Sequence, residues 1–155
     1  MNPPPRIAVL MTCFNRRALT LACLDSLRDQ AGFAQENLFL VDDGSTDGTA
    51  QAVLAAMPGA RVVPGDGSLF WNGGMRRAWN EAKARADATR QPFDFYLWLN
   101  DDVRLSPGTL AMLVADADAL VARGEAVIVS AAVTEPASGK VIYGAQRRPD
   151  PGKPL

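Results

Sequence analysis

Short apolar runs alternate with segments of helical periodicity along most of the chain. Each run is about as long as a buried strand, and the early runs lack the polar alternation of a half-exposed sheet. Phe95–Leu99 in particular predicts a strand built for burial. The predicted strands are Arg6–Met11, Asn37–Val41, Ala60–Val63, Phe93–Leu99 and residues 126–133.

Helical spacing fills the stretches between these strands. Residues 16–30 and 49–57 predict two helices, and residues 74–88 carry a longer apolar stripe at steps of three and four. Ser106 and Pro107 then predict the start of a helix that ends before Gly124. Near the end, Ser138-Gly139 predicts a turn into another extended piece.

Alternation of apolar strands with helices predicts an α/β fold with a mainly parallel sheet flanked by helices on both faces. We expect a disordered N-terminus over residues 1–5, one domain over 6–145 and an irregular tail over 146–155. In such sheets ligands bind beyond the carboxyl ends of the strands.

Composition narrows the function classes. The 155 residues carry a formal charge of −1 with no basic field, so we expect no nucleic-acid partner. The chain has no histidine, which excludes histidine-based triads and zinc sites. Cys13 and Cys23 lack metal or redox spacing and are expected to pack as apolar groups. Without a signal-peptide core or a run long enough to cross a bilayer, we expect a cytoplasmic protein, compatible with peripheral membrane contact.

Acidic residues follow two of the predicted strands. Asp42 and Asp43 end the second strand and Asp101 and Asp102 the fourth, with Asp47 in the loop after the second. These acids are expected to converge on one crevice at the carboxyl edge. Carboxylates without histidine or cysteine favour Mg²⁺ or Mn²⁺, and a substrate's phosphates would complete the coordination.

Each of these segments also has a purely structural interpretation. Asp101 and Asp102 can cap the turn before the next helix, and the segment DDGSTDGT can form turns in which Asp47 or Thr49 caps a helix. The segment WNGG can be a tight turn or a phosphate-binding helix start, and Trp71 can be a core residue or a ring stacked on a base or sugar.

Taken in order, the segments IAVLMTCFNRRALTLACLDSL, LFLVDDGSTDGT, NGGMRRAWNEA and YLWLNDDVRL resemble the family 2 glycosyltransferases. The resemblance covers about residues 6–135. It implies the Rossmann-like GT-A fold and an inverting transfer from a nucleotide-diphosphate sugar, with UDP or dTDP as the expected nucleotide.

The resemblance also implies roles for individual residues. Asp43 would accept a hydrogen bond from an N–H of uracil or thymine, and the start of the NGGMRRAWN helix would lie near the diphosphate. Asp102 would bind the metal directly, and Asp101 would face the ribose or donor sugar or share the metal. Asn100 replaces the commoner first acid of the DXD motif. The implied nucleotide-sugar-binding residues are Thr12, Asn15, Arg16, Asp42, Asp43, Ser45, Gly74, Arg76 and Asp101.

The second half of such enzymes has no counterpart here. Their catalytic base, a carboxylate, would lie beyond Leu155, and so would the site for an acceptor such as a glycan, a lipid-linked sugar or a cell-surface polysaccharide. We therefore expect the amino-terminal, donor-binding part of a longer enzyme rather than a naturally short form. A nucleotide-sugar binder without catalysis is the alternative, whereas receiver-like and dinucleotide-binding domains place their motifs after the first strand.

Overall fold

The computed structural model describes residues 4–124 and 127–144. The chain divides into two compact units, Met1–Ala111 and Met112–Leu155. Pro4 and Pro5 have no regular secondary structure; the rest of the predicted disordered N-terminus and the predicted tail, residues 146–155, lie outside the described residues. None of the helices within the described ranges has both the length and the apolar character to cross a membrane.

A parallel sheet of four strands forms the first unit, in the order β3-β2-β1-β4. The strands are β1 (Ile7–Cys13), β2 (Leu38–Asp42), β3 (Arg61–Pro64) and β4 (Phe95–Trp98). All residues of β1 and β2 are buried. The observed sheet confirms the predicted fold class and the first four predicted strands, with shifts of one or two residues at most ends.

Helices cover both faces of this sheet. A short 3₁₀ turn, Gln35–Asn37, precedes β2, and the α-helices are α1 (Arg17–Arg28), α2 (Thr49–Ala56), α3 (Phe70–Thr89) and α4 (Thr109–Val121). Because successive strand side chains point to opposite faces, Val9 and Met11 pack with α1 and α2, whereas Ala8 and Leu10 pack against α3.

Two predictions about this sheet need correction. The fourth strand was expected to be buried, but β4 lies at the edge of the sheet, and its residues are half-buried or exposed. The helix expected from Gly74 begins at Phe70. The amide of Phe70 in its first turn donates to the side chain of Asp43, which lies just after β2, and local periodicity does not encode such a long-range contact.

The second unit contains a small antiparallel pair, β5 (Val133–Thr134) and β6 (Val141–Tyr143). The predicted strand over residues 126–133 is therefore wrong from residue 127 to 132, where the chain is irregular; residue 126 lies outside the described residues. An apolar run forms a strand only when another strand pairs with it. This run has no such packing, since Ile128 is fully exposed. The predicted turn is confirmed, with Gly139 at φ +67°.

Gly74 lies in close contact with Thr12 and so brings α3 against β1. A Cβ atom at this position would lie 2.7 Å from Cβ of Thr12, and that side chain is itself fixed by a hydrogen bond from its hydroxyl to the carbonyl of Val41. Only glycine lets the helix lie this close to the central strand.

We expect Gly74→Ala to lower the free energy of unfolding by about 1–3 kcal/mol, because overpacking outweighs the better helix propensity of alanine. Urea unfolding measures the change. Gly73→Ala is the matched control, because its Cβ would meet only the Leu69 side chain, at 3.2 Å. Equal stability of the two variants would contradict the close approach.

Candidate functional site

The carboxyl ends of the first three strands lie level with one another. Cys13, the last residue of β1, pairs in register with Asp42 at the end of β2, and Asp42 pairs with Pro64 at the end of β3. On the other side, the amide of Leu99 after β4 donates to the carbonyl of Leu10, 3.0 Å away. The four following loops therefore meet at one edge of the sheet, as the sequence predicted.

The loops after β1 and β2 are joined by side chains. The amide of Asn15 donates to Oγ of Ser45 at 2.9 Å, and Oδ1 of Asn15 accepts from the amide of Thr46 at 2.8 Å. Asn15 adopts φ +50°, a left-handed conformation that asparagine tolerates. These bonds give two of the predicted nucleotide-binding residues a structural function that fixes one loop on the other.

Asp47 holds two helix starts together. Its Oδ2 accepts from the amide of Arg17, the first residue of α1, at 3.1 Å, and its Oδ1 accepts from the amide of Thr49, the first residue of α2, at 3.0 Å. Two hydrogen bonds hold the pKa of Asp47 below its usual value: the bond from the hydroxyl of Thr49 has the larger effect, and the bond from the amide of Arg17 the next. Asp47 thus accepts from the first amide of α2, although the N-cap residue of that helix is Gly48 and no side-chain cap bond is made there.

The buried aspartates at the end of β2, Asp42 in the strand and Asp43 directly after it, accept hydrogen bonds from backbone amides. Oδ1 of Asp42 accepts from the amide of Ser45 at 2.8 Å. Both oxygens of Asp43 accept at 2.9 Å, one from the amide of Gly67 and the other from the amide of Phe70. Asp43 thereby anchors the loop after β3 and the first turn of α3.

Asp101 and Asp102 share one cation, the guanidinium of Arg16. Nη1 of Arg16 lies 3.3 Å from Oδ1 of Asp101 and 2.9 Å from Oδ2 of Asp102. The Asp101 side chain is 8% exposed and that of Asp102 45%, so the pair has one buried and one open carboxylate. Burial raises the pKa of Asp101, and Asp102 adds to the rise, whereas Arg16 opposes it.

Asn100 and Trp71 extend this group toward α3. The indole N–H of Trp71 donates to Oδ1 of Asn100 at 2.9 Å, and the Trp71 side chain is 52% exposed. The interpretation of Trp71 as a core residue is therefore wrong. Neither this bond nor the pairing of Arg16 was predicted; the one available signal was an arginine and two aspartates at the ends of strands that prove to be neighbours.

The other predicted residues take different places. Thr12 and Gly74 are buried against each other, and Arg76 is exposed on α3.

Both cysteines are buried and free, as expected. Burial raises the pKa of Cys23 to about 12 and that of Cys13 further, so the thiols stay protonated at neutral pH.

The acids do not all gather around one point. Among the described residues, no group of three or more potential metal-ligating side chains occurs. Asp42, Asp43 and Asp47 are engaged by backbone amides, which leaves Asp101 and Asp102 as a pair. Two carboxylates brought to one cation still fit Mg²⁺ or Mn²⁺, provided that a ligand's phosphate oxygens supply the remaining positions.

Solved structures with the same fold are glycosyltransferases. The mannosyltransferase PcManGT from Pyrobaculum calidifontis, solved in complex with GDP-Man and Mn²⁺, aligns with a TM-score of 0.64 and 20% identity, over 88% of this chain and 38% of that one. S. aureus TarS in complex with UDP aligns with a TM-score of 0.57 and 21% identity, over 83% and 41%. These likenesses establish a GT-A glycosyltransferase fold.

Proteins that are similar in sequence are also named as glycosyltransferases. An N-acetylglucosaminyl-diphospho-decaprenol L-rhamnosyltransferase of Mycobacterium tuberculosis is 30% identical over 80 residues, which is 50% of this chain and 26% of the relative. An N-acetylglucosaminyltransferase of Rhizobium leguminosarum bv. viciae is 29% identical over 113 residues, 72% of this chain and 25% of the relative. The chain thus aligns with about a quarter of each of these relatives. Residues 8–147 match the family Glycosyl transferase family 2, and the chain belongs to that family.

Proposed function

We propose that this chain is the donor-binding part of a glycosyltransferase that uses a nucleotide-diphosphate sugar and a divalent metal ion. The observation that carries the proposal is the pair Asp101–Asp102 at the carboxyl end of β4. The guanidinium of Arg16 contacts both carboxylates and holds them together. Family membership supplies the reaction class, sugar transfer. The complexes of two structural neighbours, one with GDP-Man and Mn²⁺ and the other with UDP, support the donor class and the metal.

Asp102 is proposed as the direct metal ligand and Asp101 as its partner toward the metal or the donor sugar. Asp102 is the open member of the pair, so a bound ion could keep water and diphosphate oxygens in its other positions. When bound, such an ion would stabilise the negative charge that develops on the diphosphate leaving group. Thr20 steadies Asp101 by donating from its hydroxyl to Oδ2 at 3.4 Å.

Arg16 is proposed to change partners when the donor binds. Its guanidinium pairs with two carboxylates, and its side chain is 49% exposed, which leaves it room to change partners. With a cation held by Asp102, Arg16 would no longer be needed there and would bind the diphosphate, since arginine binds phosphate oxygens well. Arg76, exposed on α3, stays a second proposed contact to the diphosphate.

The nucleoside is proposed to lie against the loops after β1 and β2. Thr12, Asn15, Asp42 and Ser45 shape this region through the bonds described above. The oxygens of Asp43 each hold one backbone amide and each keep a second lone pair for a base N–H. Uracil or thymine is the proposed base, with guanine as the alternative that a GDP-Man neighbour supports.

Transfer is proposed to be a single displacement with inversion at the anomeric carbon. A carboxylate base would deprotonate the acceptor hydroxyl, and we place that base outside residues 1–155. The acceptor is proposed to be a glycan, a lipid-linked sugar or a cell-surface polysaccharide, because the mycobacterial relative is named for a diphospho-decaprenol acceptor.

The metal assignment predicts that Asp102→Ala abolishes the dependence of UDP or dTDP binding on Mn²⁺. Calorimetric titration with and without Mn²⁺ measures it: wild-type affinity should rise at least about tenfold with the metal, and the variant's affinity should not. GDP is titrated in parallel to determine the base.

Asp29→Ala is the matched control, because Asp29 is an exposed aspartate at the end of α1. It should keep the metal response of the wild type. An undiminished Mn²⁺ response in Asp102→Ala would refute the assignment, and a failure of all three diphosphates to bind the wild type would refute the donor proposal itself.

The buried carboxylate of Asp101 predicts a conflict between stability and function. Its pKa is raised on folding, so wild-type stability falls as the pH rises from the ordinary value of 3.8 through the folded pKa. Asp101→Asn should therefore melt at a higher temperature than wild type at neutral pH in chelator, and should lose that advantage at a pH below 3.8. Thermal melts across this range test it; Asp29→Asn should show no comparable gain, and a destabilised Asp101→Asn at neutral pH would contradict the account.

A further inference from the structure

One hydrogen bond joins Asn100 and Trp71 across the candidate site. Asn100 follows β4, whereas Trp71 lies in the first turn of α3, and its indole N–H donates to Oδ1 of Asn100 at 2.9 Å. The two residues are 29 positions apart in sequence. The bond therefore links the end of the edge strand to the helix that begins after β3.

This bond determines which end of the Asn100 amide faces α3. An indole N–H is a donor only, so the amide must turn its oxygen toward the ring; a rotated amide would oppose one N–H to another. The two N–H groups of Nδ2 consequently point away from Trp71. Within residues 4–124 and 127–144, no acceptor is hydrogen-bonded to Nδ2. Two oriented donors are thus left for a ligand.

Trp71 holds this part of the site through two contacts. Trp98 and Asn100 point to the α3 face of the sheet, because Leu97 and Leu99 pack into the core on the α1 side. The ring of Trp71 lies against that of Trp98, with centroids 5.8 Å apart, while its N–H reaches Asn100 two residues further on. The packed ring therefore fixes the direction from which the amide is held.

The neighbouring carboxylates cannot do what this amide can. Asp101 turns to the other side, where its oxygens accept from the hydroxyl of Thr20 and the guanidinium of Arg16. Ionised carboxylates only accept hydrogen bonds, and they repel phosphate. Of the three side chains in the segment Asn100–Asp101–Asp102, only the amide of Asn100 can therefore donate to a diphosphate without a metal ion between them.

We infer that Nδ2 of Asn100 donates a hydrogen bond to the diphosphate of the bound donor and that Trp71 is the residue that positions it. The inference rests on the proposed function, in which a nucleotide diphosphate binds beside β4. Trp71 acts through Asn100 and needs no contact with the donor. An amide that is already held loses less rotational freedom when it binds phosphate, so its bond contributes more to affinity.

Stacking on a base or sugar is the other role that Trp71 could have. In that role the aromatic ring would matter and its N–H would not. Phenylalanine keeps a flat aromatic ring but has no N–H, so Trp71→Phe removes the bond to Asn100 selectively. A loss of binding that depends on Asn100 then identifies positioning, whereas a loss that does not depend on Asn100 identifies stacking.

A double-mutant cycle on the 155-residue chain tests the inference. Calorimetric titrations in Mn²⁺ use whichever of UDP, dTDP and GDP binds the wild type most tightly. Asn100→Ala should weaken binding about tenfold, because it removes a hydrogen bond to a charged group, and Trp71→Phe about threefold to fivefold. The double variant should bind like Asn100→Ala alone, because Trp71 acts only through that amide.

Trp79→Phe is the matched control. Trp79 lies about two helical turns further along α3 and also contacts Trp98, at 5.6 Å, but the indole that bonds to Asn100 is that of Trp71. This variant should bind the diphosphate as the wild type does. Circular dichroism and thermal melts verify that all variants fold. In the ¹H–¹⁵N spectrum of the wild type, the side-chain amide signal of Asn100 should also shift when the diphosphate is added.

The possible failures are distinguishable. Wild-type affinity in Asn100→Ala would overturn the inference and leave the proposed function intact, because the diphosphate would still bind. A loss from Trp71→Phe that persists in the Asn100→Ala background would overturn the positioning role and make Trp71 a stacking residue. Failure of all three diphosphates to bind the wild type would refute the proposed function, and the inference with it.

Discussion

The pairing of β1 with a parallel neighbour on each side is the constraint on which the rest of the fold depends. Every residue of this strand is buried, and its register with β2 and β4 determines where each following loop begins. Residues 101 and 16 lie 85 positions apart in sequence, yet their charged groups meet because their strands are adjacent. A register slip would separate them and turn the apolar residues of β1 to the wrong faces.

Of the five aspartates that end β2 and β4 or lie in the loop after β2, three are engaged by backbone amides and two remain as a pair. Asp42, Asp43 and Asp47 accept hydrogen bonds from backbone amides and thereby build the loops and helix starts. Asp101 and Asp102 are paired instead with one half-exposed guanidinium, that of Arg16. A buried carboxylate held this way has an unfavourable environment that a stronger cation would improve, which is the physical basis for the proposed metal site.

The sequence was sufficient to predict those features of the fold that local periodicity and strand order determine. Apolar runs predicted β1 to β4, and parallel topology then predicted that the polar loops share one edge. What it could not give were contacts set by tertiary packing: the capping of α3 by Asp43, the closeness of Gly74 to Thr12, and the separation of the acids into structural and available groups. The exposure of Tyr96 and Trp98 was missed because an edge strand and a central strand have the same apolar composition.

The central claim is that Asp102, with a diphosphate, completes a site for one divalent ion beside β4. A crystal of the 155-residue chain grown with UDP and Mn²⁺ tests it through the anomalous signal of manganese. The account predicts one strong peak within coordination distance of Asp102 and of the diphosphate oxygens, with Arg16 turned away from both carboxylates. A diphosphate bound without any manganese peak near Asp102, or a peak coordinated elsewhere, would contradict it.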